Sequence, residues 1–151
     1  MTLERFQKQV EEAKANGAWD AYMTHGILEG YDAWKDPAEF GRVVAWAGAQ
    51  TNEVWIDTFA AVAAYERERD ATWLETATEG GTTVIRPHVV GLDPKLFREP
   101  LTLVVPRSLA KGGRPKVLQD GSPLSVREAS AGYLVDIAPA AREIRILDAC
   151  P

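Results

Sequence analysis

The residues able to do chemistry are few. The chain holds two histidines, His25 and His88, and one cysteine, Cys150, among carboxylates and indoles spread over 151 residues. The histidines stand 63 positions apart, with no H-x-x-x-H spacing and no aspartate pair after a strand, so the chain carries no zinc signature and no metal ligand is assigned. A single thiol beside the C-terminus makes neither a disulfide framework nor a thiolate cluster. His25 sits at the end of an apolar stretch and before Gly26, where by residue type alone it is a structural or solvent-exposed imidazole. His88, in Arg86-Pro87-His88, has no functional context. Asp57 lies between a strand and a helix, the usual place for a cap. The indoles of Trp19 and Trp55 can stack on sugar rings, and aromatics in strands also build cores.

Two periodicities divide the elements that must position these residues. Leu3, Phe6, Val10 and Ala13 recur at spacings of three and four before Asn16-Gly17, which predicts an amphipathic helix over 3–15. A short apolar strand is expected over 18–24, then a loop marked by Gly26 and Gly30. Asp36-Pro37-Ala38-Glu39 combines a cap, a proline for the first turn and an acid three residues on; Phe40, Val43, Val44 and Ala47 follow on one face. A second strand is expected over 54–56, feeding a helix that Asp57 or Thr58 caps and that buries Phe59, Val62, Ala63 and Tyr65. Its tail, ERERD, reads as solvated surface. From Gly80-Gly81 onward β-branched runs alternate, with strands expected at 82–86, 101–105, 115–119, 124–128, 132–137 and 142–147. The fold class is therefore α+β, a helix-strand-helix-strand-helix segment over 1–78 followed by an antiparallel, sandwich-like β subdomain over 79–151.

Charge narrows the partners. Residues 1–75 carry 7 Lys and Arg against 14 Asp and Glu, and the remainder 10 against 8, for a net −5. An acidic first half without a basic stripe excludes a nucleic-acid surface, because phosphate contacts need clustered cations. No stretch is apolar and long enough for a membrane span or a secretory signal, so the expected compartment is the cytoplasm by default.

The run Val54-Trp55-Ile56-Asp57-Thr58-Phe59, followed by Val62, Tyr65, Glu68, Arg69 and Asp70, resembles the last βα unit of the polysaccharide deacetylases of the NodB-homology, carbohydrate esterase family 4 type. Gly17-Ala18-Trp19 and Met23-Thr24-His25-Gly26 are similar to that family's late strand and leucine-x-histidine motif, with Met23 in the leucine's place. Pro100-Leu101-Thr102-Leu103 resembles the opening of a β appendage. The resemblance implies the end of a distorted (β/α) barrel, acting on an acetylated polysaccharide with zinc or another divalent metal in the full-length family. It makes His25 the general acid that protonates the leaving amine or hydroxyl, and Trp19 and Trp55 substrate contacts. The family's metal triad and aspartate base lie in earlier strands, which this chain does not show. The expectation is a C-terminal portion that is inactive alone and that self-associates or is completed by barrel strands from elsewhere. The rival expectation is a non-catalytic glycan- or protein-binding module.

Overall fold

The computed structural model describes residues 1–31, 34–51, 53–110 and 113–147; Cys150 lies outside them. The order is α1 (Leu3–Asn16), α2 (Pro37–Ala49), α3 (Phe59–Ala71), β1 (Thr72–Glu79), β2 (Thr82–Val89), β3 (Leu101–Val105), a 3-10 turn (Arg107–Leu109), β4 (Lys116–Gln119), β5 (Ser122–Pro123), β6 (Val126–Ala129), β7 (Gly132–Ile137) and β8 (Ile144–Leu147). This is an α+β chain with three helices and two antiparallel sheets, and no barrel closes among the described residues. No described helix is long and apolar enough to cross a membrane. The chain divides into two compact units, Met1–Phe59 and Ala60–Pro151.

In the first unit the sequence rules for helix ends hold. Thr2 Oγ1 accepts the Arg5 N–H at 3.3 Å, and Gly17, at φ 59°, closes α1 in the left-handed conformation that a side chain resists. Asp36 accepts the Ala38 N–H at 2.9 Å, with Pro37 in the first turn of α2. Glu39 does not return to its own cap. Its carboxylate instead accepts the Leu3 N–H at the start of α1 and pairs with Arg42, so one side chain ties two helix starts together. Phe6 packs between Tyr22 and Trp46, ring centroids 4.6 and 5.8 Å away, and Trp34 lies 5.4 Å from Phe40.

The two strands expected in this unit are not formed. Residues 18–24 and 54–56 pair with nothing in a ladder, and the unit's described β contact is a single bridge between Ile27 and Trp34. An isolated apolar run has nowhere to place its backbone donors and acceptors in a sheet, so these segments run as coil, with Trp19 and Tyr22 packed on the rings of Phe59 and Phe6. Burial follows the α2 stripe only in part: Val43 is buried, Phe40 and Ala47 are half-buried, and Val44 is exposed.

The second unit is a folded β structure with α3 attached. Its sheets run β1-β2-β8-β4-β5 and β3-β7-β6. Ile85, Val117, Val135, Ile137 and Ile144 are buried in one core, and Tyr65 of α3 packs against it. Strands 101–105 and 132–137 stand where alternation places them, and the others agree within a few residues. The strand missed is β1, which follows α3 without a Gly or Pro between them and pairs with β2 along its whole length, Thr72↔Val89 to Glu79↔Thr82. Gly80 and Gly81, at φ 57° and 83°, close that hairpin. They lie inside the Ala60–Pro151 unit, whose bounds differ from the 78/79 division expected from periodicity. Gly132, at φ 142°, is required twice over, because a Cβ there would run into the Val105 carbonyl.

Candidate functional site

In the Met1–Phe59 unit the loop that carries His25 is tightly wired. Thr24 Oγ1 lies 3.1 Å from the Gly26 carbonyl, which also accepts the Trp34 N–H at 3.1 Å, and Leu28 donates to the Trp34 carbonyl at 2.7 Å. A side chain at Gly26 would meet the Glu29 carbonyl at 2.7 Å, and Leu28 itself takes φ 71°, a costly angle for a γ-branched residue. The loop therefore holds His25 by its backbone and leaves the imidazole exposed, edge-on to Tyr31 at 6.0 Å. Trp19, 42% exposed, packs on Phe59 at 5.3 Å, and Trp55 is 48% exposed. Both are surface indoles rather than core. Asp57 Oδ1 accepts the adjacent Thr58 N–H at 2.7 Å, which occupies it locally at the mouth of α3. Tyr22 donates to Asp20 at 3.2 Å, and burial together with that carboxylate pushes its phenol up to about 12.

In the Ala60–Pro151 unit the structure assembles a surface that composition alone does not reveal. Register sets Trp73 opposite His88 and Glu75 opposite Arg86. The Trp73 and His88 rings stack at 4.0 Å with 14° between their planes, and Glu75 Oε2 lies 3.2 Å from His88 Nε2. Around them Arg86 bonds Glu79 at 2.6 Å, and Arg145 bonds Glu143 at 2.6 Å and reaches Glu79 at 3.5 Å. His88 thus has a partner on either side. The signal that could have found this was the β1–β2 hairpin register, which depends on recognising β1 before Gly80-Gly81.

The ERERD tail also differs from its expectation. Glu68 is fully buried. One carboxylate oxygen accepts the Glu99 N–H at 3.1 Å, and the other, buried with it, lacks a hydrogen-bond partner among the described residues. Burial, before the weaker effect of the Glu99 charge, raises its carboxyl above the ordinary range, and the Glu99 N–H pulls the other way. Neighbouring Arg67 lies over the Phe97 ring at 5.1 Å, so consecutive residues of α3 hold the segment that leads into β3.

Among the described residues no group of three or more His, Cys, Asp or Glu is placed to hold a metal ion. His25 and His88 belong to different units. Comparison with family models, curated proteins and solved structures finds no match for this chain.

Proposed function

We propose that the chain serves an acetylated polysaccharide as the end of a deacetylase-like barrel, with His25 as the group that protonates the departing amine or hydroxyl. The observation that carries this reading is the uncovered state of the Met1–Phe59 unit. Val43 is the single buried side chain among its described residues, while Trp19, Tyr22, Tyr31, Trp55 and Phe59 all face solvent. Covering one such side chain is worth about 1.5–3 kcal/mol, which gives a unit of this kind a strong reason to be completed by further structure. On this reading, coil segments 18–24 and 54–56 take up strand pairing when the rest of a barrel lies beside them, or another copy supplies the cover.

The residues present do not fit the family's divalent metal, since no described trio of ligands converges, and no hydrolytic step is written through one. What this chain's own residues supply is an exposed imidazole on a rigid loop, able to carry a proton near a bound sugar, with two surface indoles for stacking. The chain alone is expected to release no acetate from acetylated xylan, with or without added divalent metal. Mixed with a polysaccharide deacetylase chain that lacks its last two βα units, it should restore release, and His25→Ala should abolish that restoration. No restoration, or metal-dependent turnover by this chain alone that needs His25, would overturn the reading.

A second reading, a non-catalytic glycan-binding module, is favoured by the finished β fold of the Ala60–Pro151 unit and the half-exposed indole that it presents.

A further inference from the structure

We propose that the outer face of β1 and β2 is a carbohydrate-binding site, with the Trp73 indole as the platform for an uncharged pyranose ring. The inference rests on the second reading above and is independent of His25. β1 is the outermost strand of its sheet, so His88 of β2 covers one face of the indole and no strand stands beside the other. Trp73 is 53% exposed in spite of that stack. A large flat ring is thereby held open to solvent with its orientation fixed from behind, because Glu75 holds the imidazole that backs it.

The C–H face of a pyranose is apolar and meets the electron-rich face of an indole, while its hydroxyls need donors and acceptors at the rim. Glu75 and Arg86 provide one of each, directly opposite one another beside Trp73. Arg86 and Arg145 share a sheet face with the fully buried Val84 by register, and both are held there by ion pairs to Glu79. Groups ordered before binding lose little freedom on binding.

Charge selects the class of sugar. Glu75, Glu79 and Glu143 stand against Arg86 and Arg145, and the ion pairs among them leave the face balanced to slightly acidic. A uronic acid or a sulfated sugar would be repelled, and an uncharged ring would not.

The test is affinity electrophoresis of the whole chain through gels containing acetylated xylan, hydroxyethylcellulose or polygalacturonate. Retardation is expected in the two uncharged polymers and not in the polyanion. Trp73→Ala should weaken binding by about tenfold, with Trp73→Tyr keeping most of it and Leu96→Ala, on an exposed loop, keeping all of it. Thermal melting reports whether each variant folds, and where Trp73→Ala does not, His88→Ala, which removes the ring that backs the indole, should weaken retardation in its place, with unchanged retardation overturning the site. Retardation that survives Trp73→Ala overturns the site while leaving a glycan-binding module intact. Absence of retardation in both uncharged polymers overturns the site and the module together, and stronger retardation by polygalacturonate overturns the uncharged class.

Discussion

Two carboxylates in this chain respond to pH in opposite senses, and the physical cause differs for each. Glu39 is held below the ordinary carboxylate range, first by the Leu3 N–H and then by Arg42. A depressed value in the folded state means a contribution present above the unfolded value, near 4.5, and lost as pH falls through the folded one. Glu68 is raised by burial, so its contribution is complete below the unfolded value and lost as pH rises through the folded one. Denaturant titrations across the acid-to-neutral range should therefore show Glu39→Gln losing its acid-side step, and Glu68→Gln losing the decline on the alkaline side of the Glu68 titration. Parallel pH profiles for variant and parent would contradict either assignment. Glu68→Leu should cost about 1–3 kcal/mol, because it strands the part-buried Glu99 N–H. Nothing in the ERERD run distinguishes Glu68 from its neighbours. A charged pentad reads as solvent-facing, and only the segment around Glu99, 31 residues later, turns one of its members inward.

At the scale of elements, what the sequence displays is what local physics decides. The cap at Asp36, the stop at Gly17 and the alternation over 101–105 and 132–137 each depend on a few adjacent residues, and each stands as read. Residues 18–24 and 54–56 show the limit, since a strand is a relation between two segments and an apolar run does not name its partner. β1 shows the converse: a full-length ladder with β2 draws TWLETATE into a sheet directly from a helix, with no breaker residue to announce it. Glycines separate the two kinds of constraint. Gly41, inside α2 with open space where a Cβ would go, should accept alanine with a gain of roughly 0.5–1 kcal/mol. Gly132→Ala should lose more than about 1 kcal/mol, because both its positive φ and the Val105 carbonyl forbid a side chain. Equilibrium unfolding of the two variants checks this, and equal effects would show that neither backbone is held as described.

Over the whole molecule, two compact units carry different degrees of completion. Among the described residues fourteen buried hydrophobic side chains make up the core, and thirteen of them belong to Ala60–Pro151, leaving Val43 to the other unit. His25, Trp19 and Trp55 stand exposed in the first unit, and the barrel strands that the resemblance implies are not formed around them. Trp73, His88 and Glu75 needed the sheet register before they became neighbours. On the proposed reading Met1–Phe59 is stabilised mainly by what it would dock against, whereas Ala60–Pro151 is stable through its own core. Amide hydrogen exchange of the intact chain tests this most directly. The account predicts that α1 and α2 exchange far faster than β7 and β8, with openings well below the global unfolding free energy. Uniformly slow exchange across both units, in a chain that light scattering shows to be monomeric, would contradict it.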